Sequence, residues 1–266
     1  MHMARGPAAE AQGRSDLREP AIQLTRDQDA YGQLLLDAVE HGAAIEIVER
    51  EDGFIAASQI GSELYLAPFP KWPAPQRQAM RLARGRVLDV GAGGGRVALH
   101  LQERGLEVVS IDVSPGAIEV CRRRGVKDVR QLGIDDIDES LGPLDTIVMF
   151  GNNFGLMGSR RRAPWLLRRF RSLTNDDARI LAESVNPYTT DNPEHLAYHA
   201  RNRKRGRMGG QLRIRIRHGS YATPWFDYLL VSPEEMAELA AGTGWELRRV
   251  IDEGEHVYVG VLERAD

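Results

Sequence analysis

Ten consecutive residues constrain this chain more than any others: Val87-Leu88-Asp89-Val90-Gly91-Ala92-Gly93-Gly94-Gly95-Arg96. The short apolar run reads as a buried strand, and the residues from Arg96 to Arg104 read as a helix. Between them lies a glycine loop. Glycine reaches positive φ without a steric penalty and lets a ligand approach the backbone, while the first turn of the following helix presents unpaired N–H groups to a negative group. Nineteen residues past Gly93 the next apolar run, Glu107–Ile111, ends in Asp112. An acid at the end of a second strand can accept both hydroxyls of a ribose.

The rest of the chain repeats that rhythm. Strands are expected at Val129–Leu132, Thr146–Phe150 and Arg179–Ser184, and helices at Ser114–Arg124 and Trp165–Leu173. Strands near Trp245–Ile251 and Val257–Leu262 follow a helix at Pro233–Ala241. Ser114-Pro115 and Ser232-Pro233 are N-cap and first-turn pairs, and Ser232 with Glu235 fits a capping box. Strand–helix alternation over short links predicts an α/β fold, a mostly parallel sheet covered by helices. The divisions expected are a flexible tail at 1–24, a helix and hairpin extension at 25–85, a core at 86–185, an insertion at 186–230 and a return to the core at 231–266. The insertion carries one period-2 stretch, Leu212-Arg213-Ile214-Arg215-Ile216-Arg217, a half-buried strand with an arginine face.

The spacing of the glycines separates two cofactor classes. A dinucleotide fingerprint places its third glycine three residues after the second; here that position is Arg96, and the glycines fall at 91, 93, 94 and 95. With Asp89 immediately before the strand's last residue and Asp112 at the end of the next strand, the pattern resembles motif I of the class I S-adenosylmethionine-dependent methyltransferases. The resemblance implies their Rossmann-like sheet, mostly parallel with an antiparallel last strand, and S-adenosyl-L-methionine as cofactor. It implies a cofactor pocket bordered by Asp89, Gly91, Ala92, Gly93, Arg96, Asp112, Val113, Ile134, Asp135, Gly151 and Asn152. In that scheme Asp89 orders the loop and meets the amino group, Asp112 meets the ribose, and Ile134 and Asp135 border the adenine. The segment Phe150-Gly151-Asn152-Asn153-Phe154 would border both the methionine end and the acceptor, although asparagine is also a common turn residue.

A general base is needed where the acceptor is a hydroxyl or a protonated amine. His195 and His199 are four apart in the insertion and, with Tyr198, can share one helical face. They are the expected bases, with Asn152 as a polar orienting group. Tyr65, Asn153, Tyr198 and Trp225 are the candidates for contact with the acceptor. No metal site is expected, because no third ligand has suitable spacing.

Composition bears on the partner. The net charge is −3, yet residues 146–225 hold 15 basic and 5 acidic residues, net +10. No acid lies between His195 and Phe226. The plain reading of the arginine strand is a solvated edge protected by charge; others are a carboxylate or phosphate on the substrate, an RNA surface, or a dimer contact. A small-molecule acceptor, with anionic character one option, is the leading expectation. RNA or protein methylation by the basic insertion is the first alternative, and a non-catalytic cofactor-binding module the second. The chain lacks a dedicated nucleic-acid module, so no nucleic acid is expected. With a single cysteine, Cys121, no apolar leader and no membrane-length apolar run, the expected compartment is the cytoplasm, and the expected state is a monomer or homodimer.

Overall fold

The computed structural model describes residues 23–42, 44–58, 60–254 and 256–265, apart from the side chains of 60–62. The tail expected at 1–24 lies, as far as residue 22, outside the described residues. In chain order the strands are β1 (Glu46–Arg50), β2 (Ile55–Ser58), β3 (Arg86–Val90), β4 (Glu107–Asp112), β5 (Val129–Gln131), β6 (Leu144–Met149), β7 (Thr174–Val185), β8 (Gln211–His218), β9 (Tyr221–Ala222), β10 (Phe226–Leu229), β11 (Trp245–Ile251) and β12 (Val257–Arg264). The helices are α1 (Ala30–His41), α2 (Ile60–Tyr65), α3 (Ala74–Met80), α4 (Arg96–Glu103), α5 (Pro115–Arg124), α6 (Ala163–Ser172), α7 (Pro193–Lys204) and α8 (Pro233–Ala240).

Seven strands form the main sheet in the order β11-β12-β7-β6-β3-β4-β5. Neighbours from β7 through to β5 are parallel, and β12 runs antiparallel to both β7 and β11. The expected α/β sheet with an antiparallel last strand is therefore present. Its strands read as continuous apolar runs because helices cover both faces. Leu88, Val90, Ile147 and Met149 pack into one layer with Phe154, Phe170 and Trp245. Val87, Val108 and Val148 point the other way, against Trp72, Val97, Leu101 and Ile118.

Order reversal in this sheet occurs between β3 and β6, whose carboxyl ends meet at the glycine loop, the position where open α/β sheets form their ligand-binding crevice. The N-terminal helix covers one side of it. Asp29 caps α1 by accepting from the Gly32 amide at 3.1 Å, and its second oxygen accepts from the Gly116 amide at 2.8 Å, in the first turn of α5. One carboxylate thus satisfies the amide ends of two helices. Their approach is close enough that a Cβ on Gly116 would stand 2.7 Å from the Gly32 backbone. Helix propensity favours alanine over glycine by about 1 kcal/mol, but overpacking against fixed backbone costs about 1–3 kcal/mol. Gly116→Ala is therefore expected to lower the midpoint of chemical denaturation; a raised midpoint would show that α1 does not sit this tightly.

The second sheet is where the sequence reading and the structure part. The hairpin β1–β2 and the insertion strands belong to one antiparallel sheet, ordered β10-β8-β1-β2 with β9 on β8. The arginine strand β8 is interior, flanked by β10 and β1, and is not the solvated edge its charges suggested. Register assigns its faces. Leu212, Ile214 and Ile216 lie with Val48, Arg50, Phe226 and Tyr228 on one face, and Arg213, Arg215 and Arg217 with Ile47, Glu49 and Asp227 on the other. The outer arginines are met by acids from neighbouring strands: Arg215 and Arg217 by Glu49, and Arg213 by Asp227. At the hairpin turn Arg201 meets Asp52, while Arg205 and Arg207 meet Glu51. The hairpin thus supplies acidic partners for Arg201, Arg205, Arg207, Arg215 and Arg217 of the basic stretch.

Candidate functional site

The glycine loop sits between the ends of β3 and β4. Gly91 and Gly93 have φ of 75° and 53°, and the amides of Gly91 and Ala92 both donate to the Ile111 carbonyl. A Cβ at Gly91 would fall 2.3 Å from the Asn153 amide nitrogen, and one at Gly93 would fall 2.8 Å from the Tyr31 hydroxyl. At these φ values any L side chain is strained. Asp112 ends β4 with its carboxylate buried; one oxygen accepts from the Gly93 amide and the other from the Ser114 amide, each at 2.9 Å. Each oxygen keeps a lone pair for a further donor. Burial pushes this carboxyl up, and the two backbone donors pull against that.

Behind the loop runs a chain of buried polar groups. Arg96, the first residue of α4, lies over the Trp72 ring at 4.5 Å and donates to Gln76 at 2.8 Å. Gln76 donates to Glu183 at 2.6 Å, and the same Glu183 oxygen accepts from the Gly151 amide at 2.9 Å. Burial raises the Glu183 carboxyl and lowers the Arg96 guanidinium, each opposed by the charge of the other. Asp89 is buried on β3, with the Ser110 hydroxyl 3.5 Å away. Desolvation pushes its carboxyl up to about 7 against the pull of Arg96.

The segment after β6 crosses in front of the loop. Asn152 is the one described residue other than glycine with positive φ, 62°, and its side-chain oxygen is buried with no hydrogen-bond partner among the described residues. Its carbonyl accepts from the Tyr228 hydroxyl at 2.6 Å. Asn153 spends its amide on the carbonyls of Val90 and Gly91, at 2.8 and 3.1 Å. It anchors the glycine loop instead of pointing at an acceptor. Asp135 is in a two-pronged ion pair with Arg162, which also donates to the Leu156 carbonyl. Its carboxylate is thereby committed within the protein. Ile134 beside it is buried in the main core, and Val113 is half-buried after β4.

The residues expected to meet an acceptor divide. Tyr65 stands at the site: it donates to Glu46 at 3.2 Å, and its ring is edge-on to Tyr31 at 5.3 Å. Tyr198 is fully buried, with its hydroxyl donating to Glu51 and accepting from the Arg213 amide, under the Arg50 guanidinium. It joins α7 to the hairpin. Trp225 lies beneath Arg215 at 4.8 Å, on the outer, charged face of the antiparallel sheet. His195 is edge-on to Phe54 at 4.8 Å, and His199 is edge-on to Tyr188 at 5.8 Å. Burial lowers both imidazoles. Neither has a hydrogen bond or ring contact with the glycine loop, Asp112 or Glu183 among the described residues. His218, also in the insertion, is held by Asp37 and the Ile45 carbonyl.

The sequence reading passed over Tyr31, Glu46, Gln76, Glu183 and Tyr228. Tyr31 and Gln76 lie on α1 and α3, in the segment that the sequence assigned only to an N-terminal extension. Glu46, Glu183 and Tyr228 had no local signal, because each depends on which strands pair.

Residues 69–250 match the family model for a methyltransferase domain. The chain belongs to the class I S-adenosylmethionine-dependent methyltransferases. A solved methyltransferase from Bacteroides fragilis, in complex with S-adenosyl-L-homocysteine, superposes with a TM-score of 0.77 at 28% identity, over 92% of this chain and 99% of that one. The methyltransferase CcbJ of Streptomyces caelestis shares the fold at a TM-score of 0.53 and 17% identity, over 76% of this chain and 98% of the other. Among curated relatives, a ubiquinone biosynthesis O-methyltransferase of Xylella fastidiosa is 39% identical over 72 residues, 25% of this chain and 29% of that protein. The chain thus spans about three tenths of the length of the curated relatives it first matches.

The methyltransferase's own residues fit its cofactor. Gly91 and Gly93 leave backbone room, Asp112 offers two partly satisfied oxygens, and Asn152 holds a buried oxygen without a donor. Among the described residues no group of three His, Cys, Asp or Glu side chains is arranged to hold a metal ion. No helix among them is long and apolar enough to cross a membrane.

Proposed function

We propose that this methyltransferase transfers a methyl group from S-adenosylmethionine to a small molecule bound between the glycine loop and the inner face of the antiparallel sheet. The observation that carries the reading is Tyr228. It reaches from that face to the Asn152 carbonyl, with its ring against Gly155, so the sheet formed by hairpin and insertion closes over the crevice. The face it belongs to is apolar at Val48, Ile214, Ile216 and Phe226, as small-molecule pockets mostly are. The O-methyltransferases among the relatives support a small acceptor. The arginines of β8 are turned outward, away from the inner face, and each has an acidic partner, so the reading carries no requirement for an anionic acceptor.

When bound, the cofactor supplies an activated methyl group on a sulfonium centre. The chain's task is then alignment and exclusion of water, which can lower a barrier by several kcal/mol. In this reading Gly91 and Gly93 lie under the methionine and ribose, Asp112 takes the ribose hydroxyls, Asp89 takes the ammonium group, and Asn152 faces the methionine end. Ile134 packs beside the adenine, with Asp135 and Arg162 bracing that loop. Arg96 acts from behind the loop through Gln76 and Glu183.

The Asp89 reading has a pH consequence. Only ionised Asp89 attracts an ammonium group, and its carboxyl stands at about 7 in the free protein. Affinity for S-adenosyl-L-homocysteine is therefore expected to rise as pH increases from 5.5 to 7.5, by up to about tenfold per pH unit below 7. Calorimetry over that range checks this. Asp89→Asn should bind more weakly with a flat profile, and a flat wild-type profile would place the ammonium group elsewhere. Cofactor binding and acceptor class are tested together by incubating the protein with a metabolite extract and S-adenosylmethionine labelled in its methyl group. Label in a small product supports the reading; label only in added RNA or protein would replace it.

A further inference from the structure

Glu46 is a carboxylate in an unexpected place. It opens β1 on the inner face of the antiparallel sheet, where the next position along its strand is Val48, paired with Ile216, and its charge is felt by the buried Tyr228 hydroxyl. Its partner is the Tyr65 hydroxyl, 3.2 Å from one oxygen and 3.4 Å from the other. No cation pairs with it among the described residues. Arg50 shares its face but lies four residues along the strand, about 13 Å at the usual rise, and is held by Asp52. Placing a carboxylate on an apolar surface without a cation is costly, and a tyrosine hydroxyl would be satisfied by any neutral acceptor. Packing alone does not explain Glu46.

Its surroundings locate it. The Tyr65 carbonyl lies against Gly94 of the loop. Tyr31 links the Tyr65 ring to Gly93, and Tyr228 comes from the opposite side, bonded to Asn152. Glu46 therefore stands over the mouth of the crevice, between the wall made by α1 and α2 and the wall made by β10. The titratable groups facing it are Tyr31, Tyr65 and Tyr228, each of which is itself held neutral by burial. Desolvation raises the Glu46 carboxyl, and the Tyr65 bond opposes the rise.

We propose that the Glu46 carboxylate takes the proton from the methyl acceptor, and that the acceptor is therefore an uncharged or cationic small molecule with an O–H or N–H nucleophile, not a carboxylate. This rests on the functional reading above. As the new methyl–oxygen or methyl–nitrogen bond forms, the sulfur–methyl bond breaks and its electron pair stays on sulfur. The acceptor's proton passes to a Glu46 oxygen and from there to water. Tyr65 is a positioning residue, holding the carboxylate toward the crevice.

The test compares wild type, Glu46→Gln, Glu46→Asp and Tyr65→Phe. Calorimetry with S-adenosyl-L-homocysteine comes first. Wild type that does not bind it overturns the cofactor reading itself. If wild type binds, Glu46→Gln should bind within about threefold of it; a loss beyond tenfold would put Glu46 on the cofactor and overturn the proposal. Methyl transfer from labelled S-adenosylmethionine, kept saturating at every pH so that the Asp89 dependence of cofactor binding drops out, is then followed against pH with the small molecules of a metabolite extract. The wild-type rate should rise with pH as Glu46 ionises, above the ordinary carboxylate range. Glu46→Gln should lose at least a hundredfold and that inflection with it, and Glu46→Asp should regain part of the rate. Tyr65→Phe should move the inflection, which damage to packing alone would not do. Full rate in Glu46→Gln, a lowered rate with the inflection unmoved, or a labelled product that is a methyl ester of a carboxylate would each overturn the proposal. Wild type that binds the homocysteine but labels no small molecule would remove the reading on which it rests.

Discussion

Asp112→Ala is expected to weaken S-adenosyl-L-homocysteine binding about a hundredfold. The carboxylate stands at the end of β4 with both oxygens already accepting from the backbone, at Gly93 and Ser114, and each able to accept once more from a ribose hydroxyl. Hydrogen bonds to a charged group contribute about 1.5–3 kcal/mol, and about 1.4 kcal/mol is a factor of ten. Removing the side chain also frees the Gly93 amide, so part of the loss comes from a looser glycine loop. Asp112→Asn separates the two parts. Its carbonyl oxygen can replace one acceptor, but its amide presents donors where the carboxylate accepts. It should keep most of the thermal stability and recover little affinity. Wild-type affinity in Asp112→Ala would show that the ribose lies elsewhere, whatever the resemblance of the motif.

Much of this arrangement was legible because it is local in the chain. The glycine loop, the strand before it, the helix after it and the acid at 112 occupy 26 consecutive residues, 87 to 112. Their structure follows from apolar runs and backbone freedom alone. The capped starts of α5 and α8 were equally readable: Ser114 accepts from Ala117, and Ser232 with Glu235 closes a capping box. Strand β7 extends back to Thr174, beyond the expected start at Arg179. Its first residues, Asn175, Asp176 and Asp177, are exposed and carry no apolar pattern.

What could not be read is pairing across long separations. Nothing in Glu49 or Asp227 announces that Arg215 and Arg213 lie opposite them, 166 and 14 residues away in the chain. A one-dimensional charge count consequently presented a basic lid where the folded protein has a paired outer face. Nor does local spacing show that Trp225 lies by Arg215 or that Tyr198 bonds Glu51 and Arg213. Alternation along a strand gives two faces but not which one meets the core, and that choice was made by β1. His195 and His199 share a helix as their spacing suggested, yet α7 buries only Tyr198, His199 and Asn202 and docks on the hairpin turn. A titratable residue in an insertion is a candidate base only once the docking of its helix is known.

Glu183→Ala is expected to be among the most destabilising single changes in the chain, at about 3 kcal/mol or more. Glu183 is 4% exposed and ends a line of polar groups that begins at Arg96. Replacing it strands the Gln76 amide, the Gly151 amide and, at one remove, the charge of Arg96, all in the interior. A buried charge left without its partner costs about 3–5 kcal/mol; the indirect contact through Gln76 favours the lower end. Glu183→Gln should be milder, because a carboxamide oxygen still accepts from Gly151 and Gln76, while the charge facing Arg96 is lost and an amide donor replaces the second acceptor oxygen. Chemical denaturation gives both values. Cofactor affinity supplies the functional side, since Gly151 precedes Asn152, which the proposed binding mode sets facing the methionine end. In Glu183→Gln a stable fold should come with several-fold weaker S-adenosyl-L-homocysteine binding. A Glu183→Ala protein as stable as wild type would mean that water or a rearranged Gln76 satisfies Arg96, and the polar line behind the glycine loop would lose its structural standing. Should the Gln variant instead keep full affinity, the line would be a support for the fold and no part of the cofactor site.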